Sequence, residues 1–222
     1  VDDSSPSLRH VTVVVTETAG LRDARAREKV LALTAAEFAL PPGALRVRHD
    51  ARGRPLADGL GAGAHISISH GRGLAAVAVT GLSPVGVDIE VVRPVPALSM
   101  ARRWFPPREA AWLGSLPERH RHAAYFWLWT HKEAMGKALG TGLDDGGLLR
   151  VAPLPARWPP EGRTCLRWEG APGRPELVVA APALPVAAFP GPARLAVAAR
   201  PAAREAFVDV RIRDDLGAPD FA

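Results

Sequence analysis

A single cysteine, Cys165, stands in a chain of 222 residues. It excludes an internal disulfide, and nothing beside it marks a thiol nucleophile, so the sequence fits a reducing compartment. No apolar run is long enough to span a bilayer. The most apolar late stretch, Leu177–Phe189, is cut by Pro182 and Pro185. The opening VDDSSPSLRH is acidic and polar, unlike a secretory signal. A cytoplasmic protein with no membrane partner is expected. Several chemistry-bearing patterns are missing as well. There is no Walker A loop, no Rossmann glycine fingerprint, no G-x-S-x-G elbow, no H-E-x-x-H helix and no cysteine pair. His120, Arg121 and His122 lack the i,i+4 spacing of a shared zinc site. Recognition of a nucleotide would therefore fall to Arg, His and a divalent metal.

What the chain does have is ordinary apolar content and an excess of arginine. It is 47% hydrophobic and 23% charged, enough for a substantial core. Its 28 Lys+Arg outnumber 23 Asp+Glu, for a net charge of +5. That balance favours acidic or phosphorylated partners. An Ala- and Arg-rich composition is also what a GC-rich genome produces.

Periodicity and turn signals predict strands at Val11–Thr16, Leu45–Arg48, His65–Ser69, Leu74–Thr80 and Val85–Val91. A helix is expected over Leu21–Leu40, ended by Pro41-Pro42-Gly43. Arg52-Gly53-Arg54-Pro55 reads as a loop and Arg93-Pro94-Val95-Pro96 as a hinge between two halves, 1–95 and 96–222. Beyond the hinge, helices are expected at Ala97–Trp104, Pro107–Leu113 and Arg119–Leu139. Strands follow at Thr164–Trp168, Glu176–Ala180 and Arg194–Ala199. The class is α+β with largely antiparallel sheet.

Two segments concentrate the chemistry. In GVDIE, Asp88 and Glu90 share one strand face, about 7 Å apart at their Cα atoms. A lone pair of this kind is most often a solvated face. Here the flanking residues are apolar, which points to a covered cleft where Mg²⁺ would suit the oxygen donors. In FWLWTHKEAMGKALG, Glu133 and Lys137 are four residues apart on one helix face. Ala124, Leu128, His131, Met135 and Leu139 form the opposite stripe. Phe126 and Trp129 accompany the charged side, so the helix is expected to be covered on both sides. A third segment, Ser67-Ile68-Ser69-His70, does not read as a nucleophile with its base, because adjacent strand residues point to opposite faces. It reads either as an anion site with the Gly71-Arg72-Gly73 turn or as a tight hairpin with a capping His. Arg52 and Arg54 could add guanidinium contacts.

Gly86–Glu90 together with Trp129–Lys137 resembles the paired signatures of the 4′-phosphopantetheinyl transferase superfamily. Gly53-Arg54-Pro55, the Ser-His ending of Ile66–His70, and Thr141-Gly142-Leu143 resemble its Sfp-like monomeric branch. The likeness covers roughly residues 20–145. The resemblance implies a pseudo-dimer of two similar α+β halves, with the active site in the cleft between them. It implies transfer of the phosphopantetheine arm of coenzyme A to a serine of an acidic acyl or peptidyl carrier protein, releasing adenosine 3′,5′-bisphosphate. It assigns Mg²⁺, or Mn²⁺, to Asp88, Glu90 and Glu133, with Glu133 as base and Lys137 on the departing phosphate. Lys132 is placed beside the phosphates. Gly53, Arg54, Pro55, Ser69 and His70 are placed at the nucleotide and its 3′-phosphate, and Arg22 or Arg25 could add a phosphate contact. The chain departs from the family's Ser-His-Ser by reading Ser69-His70-Gly71, and it lacks a long basic lead-in.

Three rival readings make different demands on the sequence. A nucleic-acid-binding module would cluster its basic residues around exposed aromatics, whereas Arg is dispersed here. A Mg²⁺-dependent nuclease or phosphohydrolase would not need the Ser-His and Gly-Arg-Pro blocks. A non-catalytic relative would not need intact acids.

Overall fold

The computed structural model describes residues 8, 10–143, 146–160, 164–168, 176–182, 184, 191–200 and 208–213. Residues 1–7 and 185–190, on which part of the leader and membrane readings fell, lie outside that set. Among the described residues no helix is long and apolar enough to cross a membrane.

Strand β1 (Val11–Glu17) and helix α1 (Asp23–Glu37) open the fold. The helix is shorter at both ends than its composition suggests. At its C-terminus Ala39 turns left-handed, and the Leu40 and Ala39 N–H groups bond back to Ala35 and Ala36. That closure uses up the last carbonyls before Pro41 is reached. Strands β2 (Arg46–His49) and β3 (Pro55–Asp58) form a hairpin. Strand β3 is not expected from sequence, and only its first residue falls in the loop expected at Arg52–Pro55; Gly53 closes the hairpin and Pro55 starts the strand. Strands β4 (His65–Gly71), β5 (Leu74–Thr80) and β6 (Val85–Val91) follow. Helices α2 (Ala97–Trp104), α3 (Pro107–Ser115) and α4 (Glu118–Leu139) come next, then a short 3₁₀ turn at Gly147–Leu149. Strands β7 (Thr164–Trp168), β8 (Leu177–Ala181), β9 (Ala193–Ala199) and β10 (Val208–Ile212) complete the described chain.

The class is α+β with several largely antiparallel sheets. One four-stranded sheet runs β10-β1-β5-β4 and another runs β6-β9-β8-β7. Two pairings join segments from before and after the expected hinge at 93–96: β6 with β9, and β10 in parallel with β1. Strand β5 is buried along its whole length. The reason is that both faces are covered, which is why its sequence LAAVAVT is apolar throughout rather than alternating. Ala75, Val77 and Val79 pack under α1 with Val30 and Leu33. Leu74, Ala76 and Ala78 pack with Val85, Val87 and Ile89 of β6 and Val197 of β9. On the far face of the second sheet, Ala134, Met135 and Ala138 of α4 meet Val179, Ala196 and Ala198. The layers are thus helix, sheet, sheet, helix.

The long helix is buried on both sides, as its mixed faces require. Its first half is wrapped by α2 and α3. Phe105 stacks on Tyr125 at 5.2 Å, and Trp112 packs edge-on to Trp158 at 5.5 Å and tilted against Trp127 at 6.2 Å. Its second half lies on β6, and that contact builds the site.

Candidate active site

Alternation along β6 separates two jobs. Val87 and Ile89 enter the core between the sheets. Gly86, Asp88 and Glu90 face the other way, toward α4. A Cβ at Gly86 would stand 1.9 Å from the Ala134 carbonyl oxygen and 2.7 Å from the Ala138 nitrogen. Only hydrogen fits there, so the glycine sets how closely α4 approaches the strand. At that distance Lys137 reaches over the strand. Its ammonium donates to the Val87 carbonyl and to Asp88 Oδ1, each at 2.9 Å.

Asp88 is buried, and Ser69 Oγ donates to the same Oδ1 at 2.7 Å. Strand β4 explains this. Ile66 and Ile68 face α1, so Ser67 and Ser69 face β6. There the Ser67 hydroxyl accepts the Val87 N–H and the Ser69 hydroxyl accepts the Ile89 N–H. The hydroxyls stand in for a neighbouring strand along this edge of β6. The structure therefore brings Ser69 to the acid and leaves it off the wall of the adjoining cavity. Burial pushes the Asp88 carboxyl above its ordinary range, against the pull of Lys137. Its second oxygen, Oδ2, is buried and takes no hydrogen bond among the described residues.

Glu133 is partly buried on the same side of α4. Burial first, then the charge of Asp88, raises its carboxyl above the ordinary value; Lys137 and Arg150 oppose that rise. Glu90 instead forms an ion pair with Arg93 at 2.8 Å. Among the described residues, no three of His, Cys, Asp and Glu stand together closely enough to hold a metal ion. The donors nonetheless fit an oxygen-preferring divalent cation on one observation: the buried Asp88 Oδ2 has no partner, in a place where Asp88, Glu90 and Glu133 repel one another.

Beside Lys137 opens a cavity of about 330 Å³. Arg27, His49, Arg52, Arg54, His70 and Lys137 line it, and none of its lining residues is acidic. The hairpin loop carrying two of these arginines is pinned by Asp50. Its carboxylate accepts the N–H groups of Arg52 and Arg54 at 2.8 and 2.9 Å, which holds it below its usual value. Gly53, at φ +75°, makes the turn, and Pro55 starts the return strand. The Arg54 guanidinium crosses the end of α4 at Gly140, where a Cβ would stand 1.7 Å from its nitrogen. Gly53, Arg54, Pro55 and His70 thus share one cavity with Lys137.

Arg22 does not join them. It precedes the first residue of α1, is exposed, and does not line the cavity; Arg25 pairs with Glu28 at 2.9 Å. Arg27, further along the helix, reaches the wall and contacts His49 Nε2 at 3.2 Å. Neither residue was singled out from sequence, and only the basic run RVRH of β2 hinted at the second.

Lys132 is also not brought to the cavity. One residue before Glu133, it is turned about 100° around the helix, into the core. It is fully buried in an ion pair with Glu109 of α3 at 2.7 Å, donates to the Arg150 carbonyl, and lies 4.9 Å from the Phe105 ring centre. Burial pushes the Glu109 carboxyl up and the Lys132 ammonium down, each opposed by the partner's charge. His131 is buried too, its Nδ1 bonded to the Trp127 carbonyl, and burial pushes it down to about 3. A neutral imidazole facing the core is no base for a cleft. Arg150, missed from sequence for want of any motif, ties the loop after α4 by donating to Thr141 Oγ1 at 3.0 Å.

Comparison with known proteins relates the chain to one superfamily. Residues 84–180 match the model of the 4′-phosphopantetheinyl transferase superfamily. The chain is 35% identical over 130 residues to 4′-phosphopantetheinyl transferase HetI of Nostoc sp., covering 57% of this chain and 54% of that protein. It is 32% identical over 130 residues to 4′-phosphopantetheinyl transferase psf-1 of Bacillus pumilus, covering 59% and 53%. The chain spans about half the length of these curated relatives. The matched region, less than half of the chain, holds the whole of β6 and α4, the two elements that carry Asp88, Glu90, Glu133 and Lys137.

Proposed function

We propose that this protein transfers the 4′-phosphopantetheine moiety of coenzyme A to a serine of an acyl or peptidyl carrier protein, releasing adenosine 3′,5′-bisphosphate. One observation carries it. The Lys137 ammonium stands both on the wall of a cavity with a basic lining and no acid, and on a buried carboxylate with an open oxygen. Coenzyme A needs that combination, because its 3′-phosphate and its pyrophosphate lie at two points of one ligand. Arg54, Arg52 and His70 would hold the 3′-phosphate, with Gly53 and Pro55 shaping their loop. Asp88, Glu90 and Glu133 would hold Mg²⁺ or Mn²⁺, which when bound neutralises pyrophosphate charge. A Glu133 oxygen accepts the proton of the carrier serine. The serine oxygen forms its bond to phosphorus as the bond to the adenosine-bearing phosphate breaks, and Lys137 stabilises the charge that leaves.

The architecture that goes with this activity is two α+β halves, 1–95 and 96–222, facing across the cleft. Each would contribute a four-stranded sheet and a helix packed on it, with β6 and β10 each paired into the other half's sheet. Carrier proteins are acidic, and a net charge of +5 would favour their encounter.

Apo-carrier protein, coenzyme A and Mg²⁺ incubated with this chain are expected to yield carrier heavier by one phosphopantetheine, read by intact-protein mass spectrometry. Chelation by EDTA should stop the reaction. No mass gain across several carrier types would sink the transferase reading, and cleavage of coenzyme A without a carrier would point to a phosphohydrolase. Within the same assay, Arg54→Ala is expected to raise KM for coenzyme A about 10- to 100-fold, the size of one or two lost charge-assisted hydrogen bonds, with a smaller change in kcat. An unchanged KM would remove Arg54 from the ligand.

A further inference from the structure

Two cations built into the fold each hold one oxygen of two of the three carboxylates. Lys137 sits on Asp88 Oδ1 and leaves Oδ2 open. Arg93 sits on Glu90: its Nη1 donates to Glu90 Oε2 at 2.8 Å and to the Val91 carbonyl at 3.0 Å. The same guanidinium lies over the Phe126 ring of α4, 4.3 Å from its centre. Three contacts to two elements hold it, and both members of the ion pair are about three-quarters buried, at 28% and 25% exposure. The aromatic that the sequence places on the charged side of α4 is thus the seat of this arginine. Phe126 does not face solvent there; it fixes a cation beside an acid that is meant for another cation.

We propose that Arg93 is a positioning residue that holds Glu90 in reserve and sets how tightly the acid cluster takes a divalent ion. The inference rests on the assignment of the cation to Asp88, Glu90 and Glu133. Arg93 holds one Glu90 oxygen, Oε2, so an arriving cation that needs both oxygens must displace it, and one that takes only the other meets the guanidinium's charge beside it. The competition weakens binding when the ion comes alone. A ligand that brings its own phosphate oxygens adds donors, and the exchange then becomes favourable. Arg93 would thereby make occupancy of the site depend on the phosphorylated substrate, and would keep the protein's resting charge near neutral at this cluster.

The test is direct binding of Mn²⁺ to the full chain without substrate, followed by loss of the free-ion electron paramagnetic resonance signal at low ionic strength. Arg93→Gln is expected to bind Mn²⁺ about three- to tenfold more tightly than the unaltered protein, the range that removal of one partly buried competing charge produces. Arg93→Lys keeps the charge but loses the planar seat on Phe126, and its affinity should fall between the two. It also serves if Arg93→Gln does not fold. In a Glu90→Gln background the effect of Arg93→Gln should vanish, because the pair is already gone. Equal or weaker Mn²⁺ binding by both Arg93 variants overturns the inference. So does a full gain that persists without Glu90, which would reduce Arg93 to a distant charge. Absence of Mn²⁺ binding in the unaltered protein and every variant would remove the cation site itself. Binding that ignores Arg93 would leave that site standing and remove only this role.

Discussion

Glu133→Gln is expected to reduce carrier modification by about 10²- to 10⁴-fold, the usual contribution of a positioned base, while making the protein more stable at neutral pH. Both effects come from the same placement. The carboxyl is partly buried and faces Asp88, and its value in the folded protein is raised by burial and then by that neighbour. An acid whose folded value lies above the unfolded one stabilises the fold fully below the unfolded value. That contribution is lost as pH rises through the folded value. The unfolded reference is near 4.5, so at neutral pH the raised folded value is a cost to stability that glutamine does not share. Burial raises Asp88 as well, and neutralising Glu133 relieves it in addition. The gain should appear as a rise in Tm at neutral pH. It should shrink to nothing below about pH 4.5, and saturating Mg²⁺ should erase it by stabilising the unaltered protein selectively. Thermal denaturation across pH, beside the mass-spectrometric assay, reads both halves. A variant that is active, or one that is less stable at pH 7 and equally so at pH 4, refutes the role given to Glu133.

Gly86→Val should have the largest effect on the fold. The two atoms that any Cβ there would strike, the Ala134 carbonyl oxygen and the Ala138 nitrogen, are backbone atoms of α4 and cannot swing aside. The helix must move off β6 or the strand must bend. Overpacking of this kind costs about 1–3 kcal/mol and more when backbone resists. The displacement is felt at the site, because Lys137 spans that contact to reach the Val87 carbonyl and Asp88. Transfer should therefore fall with stability, and the residual folded protein should itself be impaired. Gly114→Ala is the control. A Cβ there meets only the Leu98 side chain at 3.5 Å, inside helix α3, so the change should be neutral or stabilise by up to about 1 kcal/mol. Urea titration with activity normalised to folded protein separates the two effects. Gly86→Val behaving like Gly114→Ala would show that α4 does not depend on this approach.

Much of the site was legible because it rests on short-range periods. Two residues along a strand and four along a helix each return to the same face, and that alone paired Asp88 with Glu90 and Glu133 with Lys137. Neighbours within those motifs were harder. Lys132 carries the same motif and the same charge as Lys137, yet it turns to Glu109, and nothing short of placing α3 reveals the acid waiting there. Ser69 reads as a ligand contact until β4 is laid beside β6 and the hydroxyl is seen to serve the Ile89 N–H and Asp88. Arg22 and Arg25 were reasonable guesses on a basic helix, but the direction of α1 over its sheet gives the cavity to Arg27. Strand β10 shows the other limit. Its alternation VDVRI is visible in the chain, whereas its partner β1 lies nearly the whole sequence away.

From sequence alone came the elements other than β3, β10 and the 3₁₀ turn, the α+β class, the acid and lysine motifs, and the exclusion of disulfide, zinc-finger and nucleotide-loop chemistry. These depend on the identity of a residue and on the pitch of the element it sits in, both of which are local. The tertiary structure decided which charges meet: Lys137 with Asp88, Arg93 with Glu90, Lys132 with Glu109, and Arg54 across the end of α4. Electrostatic partnership is set by distances of a few ångströms between segments far apart in the chain, and those distances exist only after the core has packed.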